Sequence, residues 1–208
     1  MSSESKLVLP AVSELTRLQV ECVERWHHQD INDPYEGFES LVCQQHAFNF
    51  RLWHQEDIAR SPTADDARIA EVKRAIDGLN QSRNDMIEKL DDAITERLAA
   101  SGVSPGEEIP INTETPGSAI DRLSIMSLRL YHYQEQIDRT EIDAEQRQKV
   151  QARLDLCHIQ HGDLSHSLQQ LIDDQFAGRK RHKTYRQMKM YNDPTLNPEI
   201  YKQGSGSK

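Results

Sequence analysis

On a helix that turns 100° per residue, His46, Asn49, Phe50, Trp53, Asp57 and Arg60 fall on one face. An imidazole, an amide, a carboxylate and a guanidinium thus share a surface with two large aromatic rings. Buried polar groups cost free energy unless they are paired, so this face predicts a hydrogen-bonded network. A second set lies one segment on. Arg83 sits inside an Ile/Leu stripe, with Asn80 and Asn84 beside it and Asp77 further back. A guanidinium there needs a carboxylate that accepts two hydrogen bonds, and Asp57 or Glu56 is expected to supply it. A third set opens with Asp121 and Arg122 and continues through Ser124, Tyr131 and Tyr133. The chemistry expected is a metal-free polar pocket between helices. Arg60, Arg83 and Arg122 would hold an anion, and Trp53 and Tyr131 would offer flat faces to a sugar or base. Networks of arginine and carboxylate also serve simply to fix helix register, so the residue types leave both roles open.

Other chemistries fit less well. Bundles that hold two metal ions use Glu-x-x-His from two helices and a Glu from each of two more. Glu24 and His27 have that spacing, Asp155 and His158 form an imperfect second pair, and Glu56, Glu88 and Glu135 are available. This set is the metal alternative, and no cofactor is expected in the main reading. His161 falls on an apolar stripe and reads as a satisfied core histidine. There is no nucleophile elbow, no Walker A loop and no GxGxxG. Glu56 and Asp57 are adjacent and diverge by 100° on a helix, so they cannot flank one glycosidic bond.

The elements that must position these residues are helices. Leu15, Leu18, Cys22 and Trp26 form a stripe over about 10–28, and a second segment runs over about 38–60. Ser61 or Thr63 is expected to cap the third, 64–100, whose stripe is Ile69, Val72, Ile76, Leu79, Ile87, Leu90 and Ile94. After a loop rich in Pro and Gly, segments over about 118–138 and 143–176 follow, with Gly178 as a stop. The pattern predicts an all-α fold, an antiparallel bundle of about five helices over 1–178. Residues 179–203 read as a basic, turn-rich extension docked on it. Met188, Met190, Tyr191, Leu196, Ile200 and Tyr201 would be its anchors, and Arg186, Lys189 and Asn192 would reach the pocket rim. Residues 204–208 read as a linker or tag remnant.

Length and charge bound the rest. The chain has 208 residues, 36% hydrophobic and 28% charged, with a mean hydropathy of -0.77. That composition suits one domain with a narrow core and a heavily charged surface. Residues 178–202 hold seven Lys/Arg against two Asp/Glu, a net of +5, which leaves −14 on the remainder of a chain whose total is −9. This acidic balance argues against nucleic acid as a partner. No run of apolar residues is long enough for a membrane span. Cys22, Cys43 and Cys157 are far apart in sequence with no CxxC, and the start has no basic region before an apolar run, so a reducing cytoplasm is expected.

Four strings carry a resemblance. QQHAFNFRLWHQEDIAR (44–60), AIDGLNQSRNDMIEKLD (75–91), GSAIDRLSIMSLRLYH (117–132) and YRQMKMYNDPTLNPEIY (185–201) resemble, in order, the signatures of a bacterial family known only as a domain of unknown function. Asn49, Trp53, Glu56, Asp57, Arg60, Arg83, Asn84, Asp121, Arg122 and Asn192 match signature positions, and the resemblance assigns none of them a chemical role. It implies an association with glycosyltransferases of surface polysaccharide assembly. The expectation is a protein that binds or processes an anionic or sugar-linked ligand in that setting. The alternatives are a non-catalytic helical adaptor for a glycosyltransferase and a metal-dependent helical enzyme, and either could act as a homo-oligomer.

Overall fold

The computed structural model describes residues 9–188, 190 and 193–198. Its helices are α1 (Val12–Trp26), α2 (Gly37–Ala59), α3 (Asp66–Ala100), α4 (Pro116–Asp138) and α5 (Ala144–Phe176). No strand occurs among the described residues, and one isolated bridge joins Ile111 to Arg181. No described helix is long and apolar enough to cross a membrane.

Side-chain oxygens set three helix starts by accepting backbone N–H groups that lack a partner within the helix. Asp65 accepts from Arg68 at the head of α3, Thr115 from Ser118 at α4, and Asp143 from Gln146 at α5. The α3 cap is therefore neither Ser61 nor Thr63. Those two hydroxyls bond each other at 2.9 Å in the preceding turn. Gly178, at φ +69°, ends α5 in the left-handed conformation that glycine adopts without strain.

Helix α2 packs on α1, α3 and α4, and α4 packs on all four other helices. That explains why α2 lacks a single apolar stripe: Val42, Gln45, His46, Ala47, Asn49 and Leu52 are buried on different sides of it. The main core gathers Leu15, Cys22 and Trp26 of α1, Phe38, Val42 and Phe50 of α2, Leu90 and Ile94 of α3, Leu123 and Leu128 of α4, and Leu168 of α5. Ile69, expected on the core stripe of α3, is 42% exposed, because at that end Val72, Ile76 and Leu79 are the residues that meet α2, at Leu52, Ile58 and Ala59.

The sense of the helices decides which ends meet. Phe38 lies by Arg97 while Leu52 lies by Val72 and Ile76, so α2 and α3 are antiparallel. Contacts between α1 and α2 instead advance together, Cys22 with Cys43, Trp26 with His46 and His27 with His54. Those between α2 and α4 also advance together, from Gln45–Asp121 to Trp53–His132. The C-terminal parts of α1, α2 and α4 therefore converge at one end of the bundle.

Two contacts fix α4 against its neighbours. The Gly117 N–H donates to the buried Asp91 carboxylate at 2.7 Å, and a Cβ at Gly117 would lie 2.7 Å from the Ile87 carbonyl oxygen. Only glycine allows that approach without movement. The Gln19 amide donates to the Ile120 carbonyl from α1. Beyond α5, Arg181 bonds the carbonyls of Glu107 and Ile109, and Arg186 spans Glu88 and Asp92 of α3. Met188, Met190 and Leu196 are exposed rather than anchoring, so the described contacts of this segment with the bundle are polar. Tyr191, Ile200 and Tyr201 lie outside the described residues.

Candidate functional site

A buried carboxylate organises the middle of the bundle. Asp121 Oδ1 accepts from Gln45 Nε2 at 2.6 Å, Asn49 Nδ2 at 2.9 Å and Arg83 Nε at 2.7 Å, and Oδ2 accepts from Arg83 Nη2. The partner of Arg83 is therefore Asp121 of α4, and neither Asp57 nor Glu56 of α2. Asp57 is exposed and Glu56 holds Arg60 at 2.8 Å, so neither can reach the guanidinium's buried side. The hydrogen bonds to Asp121 raise the pKa of Arg83 against the opposing effect of burial. Ser124 extends the network to Asn49 and His46 at 2.9 and 2.7 Å. His46 stacks on Trp26 and is fully enclosed, and burial pushes its pKa down to about 3, so the ring is neutral.

Above this network, α2, α3 and α4 enclose a cleft of about 470 Å³. Its walls include Asn49, Trp53, Glu56, Asp57, Arg60, Asn80 and Arg83, so seven of the residues expected in a pocket share one. Arg129, not anticipated from the sequence, completes it. Arg129 is exposed and lines two further clefts, of about 530 and 650 Å³. Arg60, Arg83 and Arg122, expected to hold an anion, are each engaged: with Glu56, with Asp121, and with Glu114 at 2.7 Å. Arg129 forms no ion pair among the described residues, and Asp57 makes no side-chain hydrogen bond among them. The spare charges of the cleft are therefore one cation and one carboxylate.

Other expected residues lie elsewhere. Asp77 is exposed on α3 and pairs with Lys73. Asn84 is half-buried and lines none of these clefts, and Arg122 lies on the 650 Å³ cleft between α4 and α5. Arg186 is held on Glu88 and Asp92 rather than at a pocket rim. Lys189 and Asn192 lie outside the described residues. Tyr131 stacks on His27 at 4.0 Å rather than lining the 470 Å³ cleft. His161 is half-buried, with its pKa lowered by burial.

The metal set proposed from Glu24, His27, Asp155 and His158 is not assembled. Asp155 and His158 are exposed on α5, and Glu24 is exposed on α1. His27 instead meets His54 of α2 and His132 of α4, and one ring nitrogen of each lies within 4.8 Å of the other two. These histidines line the 530 Å³ cleft together with Trp53, Asp57, Arg129 and Glu135. The His132 ring lies parallel to Trp53, 4.7 Å away. Burial lowers the pKa of His27 and His54, and the neighbouring imidazoles push the same way, while the bond from His27 to the Val23 carbonyl opposes it. Sequence reasoning missed His54 and His132 although a signal existed. His54-x-x-Asp57 and His132-x-x-Glu135 place an imidazole and a carboxylate on one helix face as surely as Glu-x-x-His does.

The model of the family described as "Protein of unknown function (DUF4254)" matches residues 39–184, and the chain belongs to that family. The matched span begins in α2 and leaves α1 outside it. No curated protein and no solved structure matches the chain.

Proposed function

We propose that this member of the family binds a small anionic, sugar-linked ligand in the clefts that meet at Arg129. The carrying observation is that guanidinium: exposed, without an ion pair among the described residues, and shared by three clefts. A planar cation of this kind matches phosphate or carboxylate oxygens two at a time. Trp53 belongs to the walls of two of the clefts and offers the flat apolar face that sugars and bases stack on. Asp57 can accept from sugar hydroxyls. The setting proposed is bacterial cytoplasm and the assembly of cell-envelope polysaccharide, in line with the family resemblance. Thermal denaturation of the full chain with inorganic pyrophosphate, a hexose phosphate and a nucleoside diphosphate hexose tests the reading. Stabilisation by at least one of them that is lost in Arg129→Gln supports it. No stabilisation by any, or equal stabilisation of the variant, refutes it.

A second reading is a non-catalytic adaptor for a glycosyltransferase. It is favoured by the way Gln45, Asn49 and Arg83 occupy both oxygens of Asp121, and by Leu156 and Ile159, 53% and 61% exposed on α5. Co-purification with a glycosyltransferase that is lost in Leu156→Ser, with ligand response unchanged, would select it.

A further inference from the structure

We propose that His27, His54 and His132 form a site for one divalent first-row transition-metal ion, with Zn²⁺ as the reference and a coordination position open to the cleft shared with Asp57, Arg129 and Glu135. The inference does not rest on the ligand reading above.

Three helices each deliver one imidazole, and one nitrogen from each falls within a 4.8 Å span. Three protein ligands with a fourth position left for water is the usual donor count of an open zinc site, and imidazole suits zinc and its neighbours. The tautomers fit as well. His27 Nδ1 lies 2.7 Å from the Val23 carbonyl oxygen, and His132 Nδ1 lies 3.1 Å from Glu135 Oε2. Both oxygens accept, so each Nδ1 carries a proton, and in the neutral ring each Nε2 presents its lone pair. A carbonyl or carboxylate on the far nitrogen is the support that metal-bound histidines ordinarily have.

Both of those Nε2 atoms are buried and have no hydrogen-bond partner. Buried polar atoms are almost always paired, and two lone pairs cannot satisfy each other. Aromatic packing explains why the rings are here: His132 lies on Trp53 and His27 on Tyr131. His46 and His161 also carry a bare buried Nε2, but each stands alone, whereas His27 and His132 are neighbouring rings 5.1 Å apart and packing supplies neither with a partner. A cation satisfies them together. The helix field has the same preference, because His27 caps the C-terminus of α1, where the dipole is negative.

Tetrahedral zinc with Zn–N of about 2.0–2.1 Å requires N···N of about 3.3–3.4 Å, so nitrogens that lie within 4.8 Å of one another must close by at most about 1.5 Å on binding. The His54 ring makes no hydrogen bond among the described residues and can turn to do so. Bound there, the ion would act as a Lewis acid beside the Arg129 cation, on the wall that also carries Asp57 and Glu135.

The full chain is stripped with a chelator, dialysed and titrated with Zn²⁺ by calorimetry. The expected result is one site with Kd below about 1 µM. His54→Gln and His132→Gln should each weaken it by about 100-fold or more. Glu135→Gln should weaken it by about 10–100-fold, the usual effect of losing a histidine's outer partner. His158→Gln, exposed on α5 and outside the cluster, should leave it unchanged. Far-UV circular dichroism of each metal-free variant checks its fold. If a histidine variant fails to fold, the exposed Glu135→Gln decides alone. Wild-type binding weaker than about 100 µM overturns the proposal. So does unchanged affinity in folded His132→Gln or Glu135→Gln, or a comparable loss in His158→Gln.

Discussion

Arg83→Ala removes the cation that faces Asp121 and leaves a carboxylate that is only 5% exposed. Gln45 and Asn49 would still donate to Oδ1, but Oδ2 would lose its guanidinium partner. Removing one partner of a buried pair costs about 3–5 kcal/mol. The Arg83 side chain is 25% exposed, so water repays part of that loss and the lower end, about 3 kcal/mol, is expected. In a domain of this size that corresponds to a fall in Tm of roughly 6–12 °C. Urea unfolding followed by far-UV circular dichroism should show a lower midpoint with an unchanged slope. The pairing adds a sharper demand. Because the cost is largely that of stranding the Asp121 charge, Arg83→Met combined with Asp121→Asn, which keeps an oxygen for Gln45 and Asn49, should be more stable than Arg83→Met alone. A coupling of at least about 1.5 kcal/mol is expected in the double-mutant cycle. An unchanged midpoint in Arg83→Ala, or strictly additive costs, would refute the buried pair.

Gly117→Ala should destabilise by about 1–3 kcal/mol, because its Cβ would press on the Ile87 carbonyl and the Asp91 carboxylate; an unaltered urea midpoint would show that α4 can shift freely against α3. His46, held neutral at about 3 against an ordinary value of about 6.5, takes up its proton only on unfolding as pH falls. Its contribution is therefore complete above about pH 6.5 and lost progressively below it, about 2 kcal/mol by pH 5. His46→Gln should flatten the stability profile between pH 7 and pH 5 by that amount, and an identical slope in both proteins would contradict the neutral buried ring. Arg186→Ala should speed tryptic cutting at Lys183 without moving the Tm, since its contacts with Glu88 and Asp92 hold the segment and not the core; unchanged cutting would mean that other contacts hold it.

The five helices were legible because their apolar residues recur with helical period and their ends carry Pro, Gly and Asx residues. The polar residues of α2 were also legible as a set, because His46, Asn49, Trp53 and Asp57 share a face that no simple core needs. Which helix opposes them was not. Arginine in an apolar stripe demands a carboxylate, but sequence does not say that α4 presents Asp121 to it while Asp57 faces water. The histidine cluster was hidden for the same reason. His27, His54 and His132 are far apart along the chain, and they meet only because α1, α2 and α4 advance in the same sense. Among the described residues of the extension the apolar ones misled: Met188 is 89% exposed, and Arg181 and Arg186 make the contacts instead.

An anionic, sugar-linked ligand held in the clefts at Arg129 would depend on that guanidinium for its affinity. Calorimetric titration of the full chain with a nucleoside diphosphate hexose, run beside Arg129→Gln and Arg153→Gln, addresses it most directly. Saturable binding is expected to the wild-type chain and to Arg153→Gln, whose residue is exposed on α5. Arg129→Gln should lose about 10-fold or more in affinity, because a charge-assisted pair worth about 1.5–3 kcal/mol is removed. Equal affinity in all three proteins, or no binding to any of them, would contradict ligand binding at Arg129.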